Sequence, residues 1–431
     1  MMKNKPIAIS LNSSMTTQAQ IFYPWLVWLL GATFFFYKYL VQVSPSVMTS
    51  DLMQAFQVNG AGLGNLSACY FYAYLLMQIP VGILLDRLSL RFLTSLAIVT
   101  CSLSTLLFAH THSLSIACLM RAAMGFGAAF AAVSCLKAAT LWFPARRFAL
   151  VSGMCMTAAM FGAVGGQIPL SLLVQHLDWR SALDWVGGAG LLLSLLYVLI
   201  VQDRPQAYAQ HSASSSILQQ LKLIVRNKQA WLLSLYSGLA FTPVSVFGGL
   251  WGVPFLQEAY HVSASQAAFA VSWIFIGFAI GAPILGWFSD YWGRRKPVMV
   301  LGSCLALATL LMVLYLGSEQ LWLLCLILFA FGMGASGFFT SFAMIREVFP
   351  AVLGATVLGF MNTFDSVCEA VSEPLAGALL DLTWKGQTSN GVHYFSTQGY
   401  HWALLMLPVY LCAALVILWW IEETYCQPYQ E

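Results

Sequence analysis

The chain has 431 residues, of which 60% are apolar and only 8% charged, with a net charge of +3. Soluble domains carry about 25% charged residues, so this chain has too few to cover a soluble globule. The same figures exclude collagen-like, disulfide-scaffold and disordered chains, and the small net charge gives no sign of a nucleic-acid partner. A polytopic membrane protein remains.

A helix that crosses the hydrocarbon core needs about 20 apolar residues. Twelve segments of that kind follow one another, at roughly 21–47, 63–85, 92–110, 115–141, 149–176, 181–202, 230–257, 264–289, 297–317, 320–346, 352–383 and 400–422. They are too long for the short alternating strands of a membrane barrel. The stretch from Met1 to Gln20 is polar, carries Lys3 and Lys5 and lacks the apolar core of a signal peptide, so it reads as a cytoplasmic tail. With the N-terminus inside, the inner segments hold fourteen basic residues: Lys3, Lys5, Arg87, Arg91, Arg146, Arg147, Arg204, Lys222, Arg226, Lys228, Arg294, Arg295, Lys296 and Arg346. The outer loops hold two, Arg180 and Lys385. That bias places both termini in the cytoplasm. The expected membrane is a bacterial inner membrane, because the loops are short and no glycosylated ectodomain appears.

In the first segment Lys38 stands one helical turn before Gln42, on the same face. The second ends in Gly82-Ile-Leu-Leu-Asp86-Arg87, with Arg91 opening the third. The fourth carries Arg121 and Lys137, and the fifth carries Gly153, Gly162, Gly166 and Gln167. The inner connection then divides the segments six and six. Within it Ile217, Leu218, Leu221, Ile224 and Val225 recur at helical spacing against Lys222, Arg226 and Lys228, which predicts an amphipathic helix on the inner leaflet. The expected organisation is therefore 1–202, a linker at 203–229, and 230–431.

The second half echoes the first. Gly286-Trp-Phe-Ser-Asp290-Tyr-Trp-Gly293-Arg294-Arg295-Lys296 closes the eighth segment 204 residues after the Gly82 motif. Phe349-Pro350-Ala351 follows Phe143-Pro144-Ala145 by 206. Two unrelated motifs repeating at nearly one offset predict a duplicated six-helix unit.

An ionisable residue inside a span is costly and marks function by default. Beside Lys38, Arg121 and Lys137, the eleventh segment holds Asp365, Glu369 and Glu373, spaced i, i+4, i+8 along one helix face. At 1.5 Å per residue, Lys38 lies level with Glu369 and Arg121 with Glu373, so each pair is expected to meet. Mutual repulsion makes the acidic stripe a candidate proton carrier. Nine of the ten cysteines lie inside apolar segments and none forms a CxxC, so they read as packing residues. Gly332-Met-Gly334-Ala-Ser-Gly337 spells a dinucleotide motif, yet it lies inside an apolar segment, where small residues serve close helix packing. No nucleophile or metal constellation supports an enzyme, and no metal is expected.

Gly286 to Lys296 resembles the short inner-loop motif G-x-x-x-D-R-x-G-R-[RK] of the major facilitator superfamily. Arg121-Ala-Ala-Met-Gly125-Phe-Gly127 resembles its fourth-span motif, and residues 37–46 resemble the first span of its organic-anion and sugar-phosphate members. Asn362 to Asp381 is similar to a pattern of some relatives, with Glu373 in the place of Gln before Pro374. The Gly82 copy departs from the motif at Ser89 and Leu90, and Gln167 interrupts the fifth-span antiporter pattern.

The resemblance implies an all-α membrane protein of twelve transmembrane helices in two pseudo-symmetric six-helix bundles. It implies alternating-access uptake of a small polar solute, amino-acid-like or organic-acid, with a proton gradient as drive and no other cofactor. Lys38, Gln42, Arg121, Asp365, Glu369 and Glu373 are then the binding and coupling site. Gly82, Asp86, Arg87, Arg91, Gly286, Asp290, Arg294 and Arg295 are the inner gates. A monomer in the lipid bilayer is expected. The alternatives are a proton-driven exporter of drugs or siderophores and a non-transporting ligand sensor.

Overall fold

A computed structural model of the chain describes residues 16–203, 217–316, 320–350, 353–389 and 391–427. The polar tail with Lys3 and Lys5, and Arg204 with the Ser-rich start of the linker, fall outside these residues. Among the described residues, ten helical segments are long and apolar enough to cross a membrane. In chain order they are helix 1 (Phe22–Val47), helix 3 (Leu90–His110), helix 4 (Leu114–Trp142), helix 5 (Leu150–Leu177) and helix 6 (Trp179–Ile200). In the second half they are helix 7 (Lys228–Tyr260), helix 8 (Ala264–Trp292), helix 9 (Lys296–Leu316), helix 10 (Leu321–Val348) and helix 12 (Thr397–Ile417). Helix 2 (Gly60–Arg87) and helix 11 (Gly354–Leu382), of 28 and 29 residues, complete the series. Helix 11 is the one that carries three carboxylates in its interior, which lowers its apolar character without shortening it.

The starts follow local chemistry. Asn59 accepts the Gly62 N–H at the start of helix 2, Ser89 accepts the Phe92 N–H at helix 3, and Ser263 forms a capping box with Gln266 at helix 8. Several helices are interrupted where the sequence removes a donor or a side chain. Helix 1 tightens into a 3₁₀ turn at Ser44–Val47 around Pro45. Helix 7 opens into a π turn at Phe247–Trp251, four residues after Pro243 and across the pair Gly248-Gly249. A short helix, Thr49–Phe56, follows helix 1, and a two-stranded hairpin, Thr388–Ser389 with Val392–His393, lies between helices 11 and 12.

The ends of each six-helix half meet. Tyr23 Oη donates to the Ile200 carbonyl at 2.9 Å and accepts the Gln202 N–H at 2.9 Å. Gln229 Nε2 donates to the Trp420 carbonyl at 3.3 Å and Gln229 Oε1 accepts the Glu422 N–H at 3.2 Å. Gln229 stands 206 positions after Tyr23, so the repeat seen in the motifs also appears in the hydrogen bonds. These contacts lie at one end of the bundle, the termini end; the other is the far end. The predicted amphipathic helix is present at Ile217–Arg226, with Ile224 buried and Lys222 and Arg226 exposed.

At the far end the two halves are closed on each other. An added Cβ at Gly64 would come within 2.4 Å of the Glu373 carbonyl oxygen, and one at Gly377 within 2.1 Å of the Gly60 carbonyl oxygen. Helices 2 and 11 thus pack backbone to backbone, as small residues allow in a lipid environment that supplies no hydrophobic drive between helices. Asp381, at the end of helix 11, accepts the N–H groups of Gly60 (2.9 Å) and Ala61 (2.7 Å), so one half caps a helix of the other. Gln167 adds a second tie, donating to Ser46 Oγ and to the Gly248 carbonyl, each at 2.8 Å. At the termini end, Cβ atoms added at Gly82, Gly286, Gly354 and Gly359 would meet nothing within 4 Å.

Two far-end aspartates respond to pH in opposite directions. Asp178, capping helix 6, accepts the N–H groups of Ser181 and Arg180, and these hold its carboxyl below the ordinary aspartate range. Its contribution is present above the unfolded value and is lost as the pH falls through the folded one. Burial pushes Asp51 up, and the neighbouring charge of Asp178 adds to this. Ionised Asp51 therefore destabilises the fold at neutral pH, and the penalty disappears below the unfolded pKa. Asp51→Asn is expected to raise the thermal midpoint at neutral pH and to leave it unchanged in acid; a gain equal at both pH values would point to packing instead. Gly64→Val is expected to destabilise the purified protein by about 1–3 kcal/mol through overpacking against helix 11, read as a lowered thermal midpoint.

Candidate functional site

Helix 1 ends where its last turn tightens, and Pro45, which has no N–H, leaves the Val41 carbonyl without its α-helical donor; Ser44 Oγ donates to it at 2.9 Å. Arg121 of helix 4 fills that gap. It is 2% exposed, donating from one terminal nitrogen to the Val41 carbonyl at 3.1 Å and from the other to the Gln42 carbonyl at 3.4 Å. Its guanidinium carbon lies 5.1 Å from the Tyr70 ring centroid. A cation at a helix C-terminus also meets the negative end of the helix dipole. Lys38, 4% exposed, donates from Nζ to Gln42 Oε1 at 2.5 Å and sits over the rings of Tyr39 (3.7 Å) and Tyr74 (4.9 Å). Gln42 therefore holds both cations, one through its side chain and one through its backbone.

Helix 11 presents its acidic stripe to the same region. Asp365 accepts the Ser237 hydroxyl of helix 7 at 2.7 Å. Glu369 and Glu373 are buried to 4% and 2% exposure. Among the described residues, Glu369 Oε1, Glu373 Oε2 and Arg121 Nε have no hydrogen-bond partner. Lys38 has Glu369 as its electrostatic neighbour, and Arg121 has Glu373. The expected contacts between these pairs are corrected in one respect: among the described residues neither pair closes to an ion pair within 4.0 Å. The physical reason is that the cations take backbone and amide oxygens, which a sequence does not display as partners. The space beside Gln42, between Tyr39, Met160, Phe241 and Phe275, is about 10 Å³, room for one water. All six predicted residues of the binding and coupling set are thus buried in the middle of the bundle. Lys137 instead donates to the Leu85 carbonyl near the end of helix 2 and stands apart from the cluster.

The loop motifs form a second constellation at the termini end. Arg295 reaches Asp290 at 2.5 Å and Glu347 of helix 10 at 2.7 Å, and also donates to Ser289. Burial opposes its charge, yet the hydrogen bonds to Glu347 and Asp290 hold the guanidinium above the usual arginine value. Glu423, beyond helix 12, accepts the N–H groups of Arg295 and Lys296 at 2.9 Å each. In the first half Asp203, beyond helix 6, accepts from Ser89 Oγ and from the Arg91 N–H, while Arg91 Nε donates to the Val198 carbonyl at 2.7 Å. Gly82 and Gly286 stand on open ground, and Arg294 lies 5.7 Å from the Tyr425 ring. The side chains of Asp86 and Arg87 lie outside the described residues. The partners shown here belong to the same half as the motif they bind.

Sequence reasoning missed Gln167, Glu347, Asp203, Glu423 and Asp381. Asp203 and Glu423 had a signal, since each is the first or second acid after the last apolar segment of its half. The glycines of the apparent dinucleotide motif are packing residues: a Cβ at Gly332 would come within 1.9 Å of the Ile274 carbonyl oxygen. Gly125 and Gly127 meet Tyr70 and Ala97 in the same way 207 positions earlier, so Gly332 and Gly334 are the second copy of the fourth-span glycines.

Comparison with known proteins agrees with this architecture. The chain is 27% identical over 280 residues to the uncharacterized transporter YybO of Bacillus subtilis, covering 60% of this chain and 63% of that one. It is 26% identical over 295 residues to the membrane sensor protein UhpC of Salmonella typhimurium, covering 63% and 65%. It is 23% identical over 385 residues to the probable galactarate/D-glucarate transporter GarP of Escherichia coli, covering 80% and 85%. The matches to YybO and UhpC thus span a little under two thirds of those relatives. Among solved structures, a bacterial homologue of the lysosomal transporter Spinster superposes with a TM-score of 0.75 at 16% identity, covering 93% of this chain and 97% of that one. The nucleoside transporter NupG superposes with a TM-score of 0.73 at 15% identity, covering 92% and 99%. The family model described as Major Facilitator Superfamily matches residues 27–251 and 234–428. With its long antiparallel helices in two repeated halves, the chain is a multi-pass membrane protein that belongs to the Major Facilitator Superfamily.

Proposed function

We propose that the chain is a secondary transporter, not an enzyme, that takes up a small carboxylate-bearing solute together with protons across a bacterial inner membrane. The observation that carries this reading is the buried cluster on helices 1, 4 and 11, in which Glu369 and Glu373 each keep a carboxylate oxygen without a partner beside two cations held by Gln42. With every group ionised, Lys38 and Arg121 face three acids, and the cluster is net negative. An anion entering it would add negative charge in a medium where charge is poorly screened. Protons on Glu369 and Glu373 remove that obstacle and free Lys38 and Arg121 to bind the incoming carboxylate. Substrate and protons then need one another, which is the condition for symport. A zwitterion satisfies the same logic, with its ammonium group near Asp365.

In this reading 1–202 and 230–431 rock about the linker 203–229 with the substrate between them. The termini end faces the cytoplasm, as the basic residues place it. The Gly82, Asp86, Arg87 and Arg91 loop and the Gly286, Asp290, Arg294 and Arg295 loop are the gates on that side, and a monomer suffices. The names of GarP and of the matching L-galactonate and D-galactonate transporters of Escherichia coli support a sugar acid as the solute. The likeness to UhpC favours a second reading, a ligand sensor that binds such an acid without moving it.

Purified protein in liposomes, alkaline inside, tests both. Wild type is expected to accumulate a labelled sugar acid or amino acid only while the proton gradient lasts. Glu369→Gln and Glu373→Gln are expected to lose gradient-driven accumulation about tenfold, the equivalent of about 1.4 kcal/mol of coupling, while retaining exchange of solute across the membrane. Binding without any uptake would select the sensor; gradient-independent equilibration by wild type would remove the proton. Gln42→Leu is expected to abolish binding, because it leaves Lys38 buried without its partner, and a binding isotherm unchanged from wild type would remove Gln42 from the site.

A further inference from the structure

The turn between helices 8 and 9 borders a cavity of about 530 Å³ whose walls are Trp292, Leu301 and Tyr425 and whose polar groups are Arg294, Lys296 and Glu423. Glu423 stays anionic, but its oxygens are turned away to the backbone N–H groups of Arg295, Lys296, Thr424 and Tyr425, and beside Arg294 and Lys296 it leaves the lining with a net positive charge. Lys296 gives one Nζ hydrogen to the Ile421 carbonyl at 2.6 Å and keeps two. The exposed Arg294 guanidinium has no hydrogen-bond or ion-pair partner among the described residues, and its carbon lies 5.7 Å from the Tyr425 ring. The cavity therefore offers two cations with free donors at the positive end of helix 9.

Its surroundings decide the occupant. Trp287 and Tyr291 stack at 5.5 Å on the exposed face of helix 8 just before the turn, the arrangement of an interfacial aromatic belt. Below the cations the wall runs into Leu301, 54% exposed on helix 9, in the part of the chain that crosses the membrane. A soluble anion would fill the polar mouth and leave that apolar wall unused; a phospholipid uses both.

We propose that this cavity binds an anionic phospholipid, its phosphate on Arg294 and Lys296 and its acyl chain along Leu301. The site needs only that the chain spans a bilayer, and it stands or falls independently of the transport reading. Bound there, the lipid would tether the loop that also holds Asp290 and Arg295.

The test uses the full chain in nanodiscs of phosphatidylcholine with a minor share of phosphatidylglycerol, and native mass spectrometry to count the retained lipids. Wild type is expected to retain phosphatidylglycerol several-fold over its share. Arg294→Glu and Arg294→Gln are expected to fall to the bulk ratio with unchanged thermal midpoints, since Arg294 has no partner to lose. Arg147→Glu, the same charge change at an exposed residue of the other half, is expected to behave as wild type. Equal retention by all four proteins, or equal loss in the Arg147 and Arg294 variants, would overturn the site. Displacement of the lipid by inorganic phosphate alone would show a soluble-anion site and overturn the lipid as occupant.

Discussion

Two cations are buried in the middle of this membrane protein, and one residue, Gln42, holds them both. Its side-chain oxygen takes Lys38 and its backbone oxygen takes Arg121. This works because Pro45 has no N–H to give the Val41 carbonyl, so at the end of helix 1 that oxygen and the neighbouring Gln42 oxygen can take the Arg121 guanidinium inside a buried segment. Neutral oxygens take the terminal nitrogens of Arg121 and Nζ of Lys38 without neutralising either charge. The positive potential that survives is what the acids of helix 11 face. Had Lys38 and Arg121 been clasped by Glu369 and Glu373, the cluster would be a closed structural ion-pair set with nothing left for a ligand.

The duplicated half is visible at a finer grain in the structure than in the motifs. Asp203 and Glu423 each reach back from the end of a half to cap the start of its third helix. Arg91 and Lys296 each return a donor to a carbonyl near the end of its sixth. Glu423 lies 220 positions after Asp203 where Gln229 lies 206 after Tyr23, and the difference is spent on the chain around the hairpin between helices 11 and 12. Each half is therefore clasped by its own loops at the termini end.

How much of this was legible follows from what a sequence displays. The helical segments were readable to within a few residues, because apolar length alone sets them. The five central charges were readable, because ionisable groups in such segments stand out. Their partners were not: the oxygens that hold Arg121 belong to the backbone of Val41 and Gln42, and no residue letter announces a free carbonyl. Asp381 was passed over as the end of an apolar segment, though it caps a helix of the opposite half. The π turn of helix 7 needed the combined effect of Pro243 and the Gly248-Gly249 pair, each unremarkable in isolation.

The two ends of the bundle are held by different kinds of contact, and the difference bears on how the halves can separate. At the far end the halves share backbone: Gly60 and Gly64 lie against Gly377 and the Glu373 carbonyl, and Asp381 caps helix 2 across the interface. At the termini end the charged contacts of the second loop, Arg295 with Asp290 and Glu347, stay inside one half. Opening the far end must therefore break specific hydrogen bonds, and the exposed N–H groups of helix 2 must find water. Closing the termini end requires no such loss. A preference of a few kcal/mol between two states is enough to leave the minor one sparsely populated. Glu373 lies on the same turn of helix 11 whose backbone meets Gly64, so the charge state of the cluster and the closure of the far end act on one stretch of helix. A proton or a ligand that reshapes that turn acts on both at once.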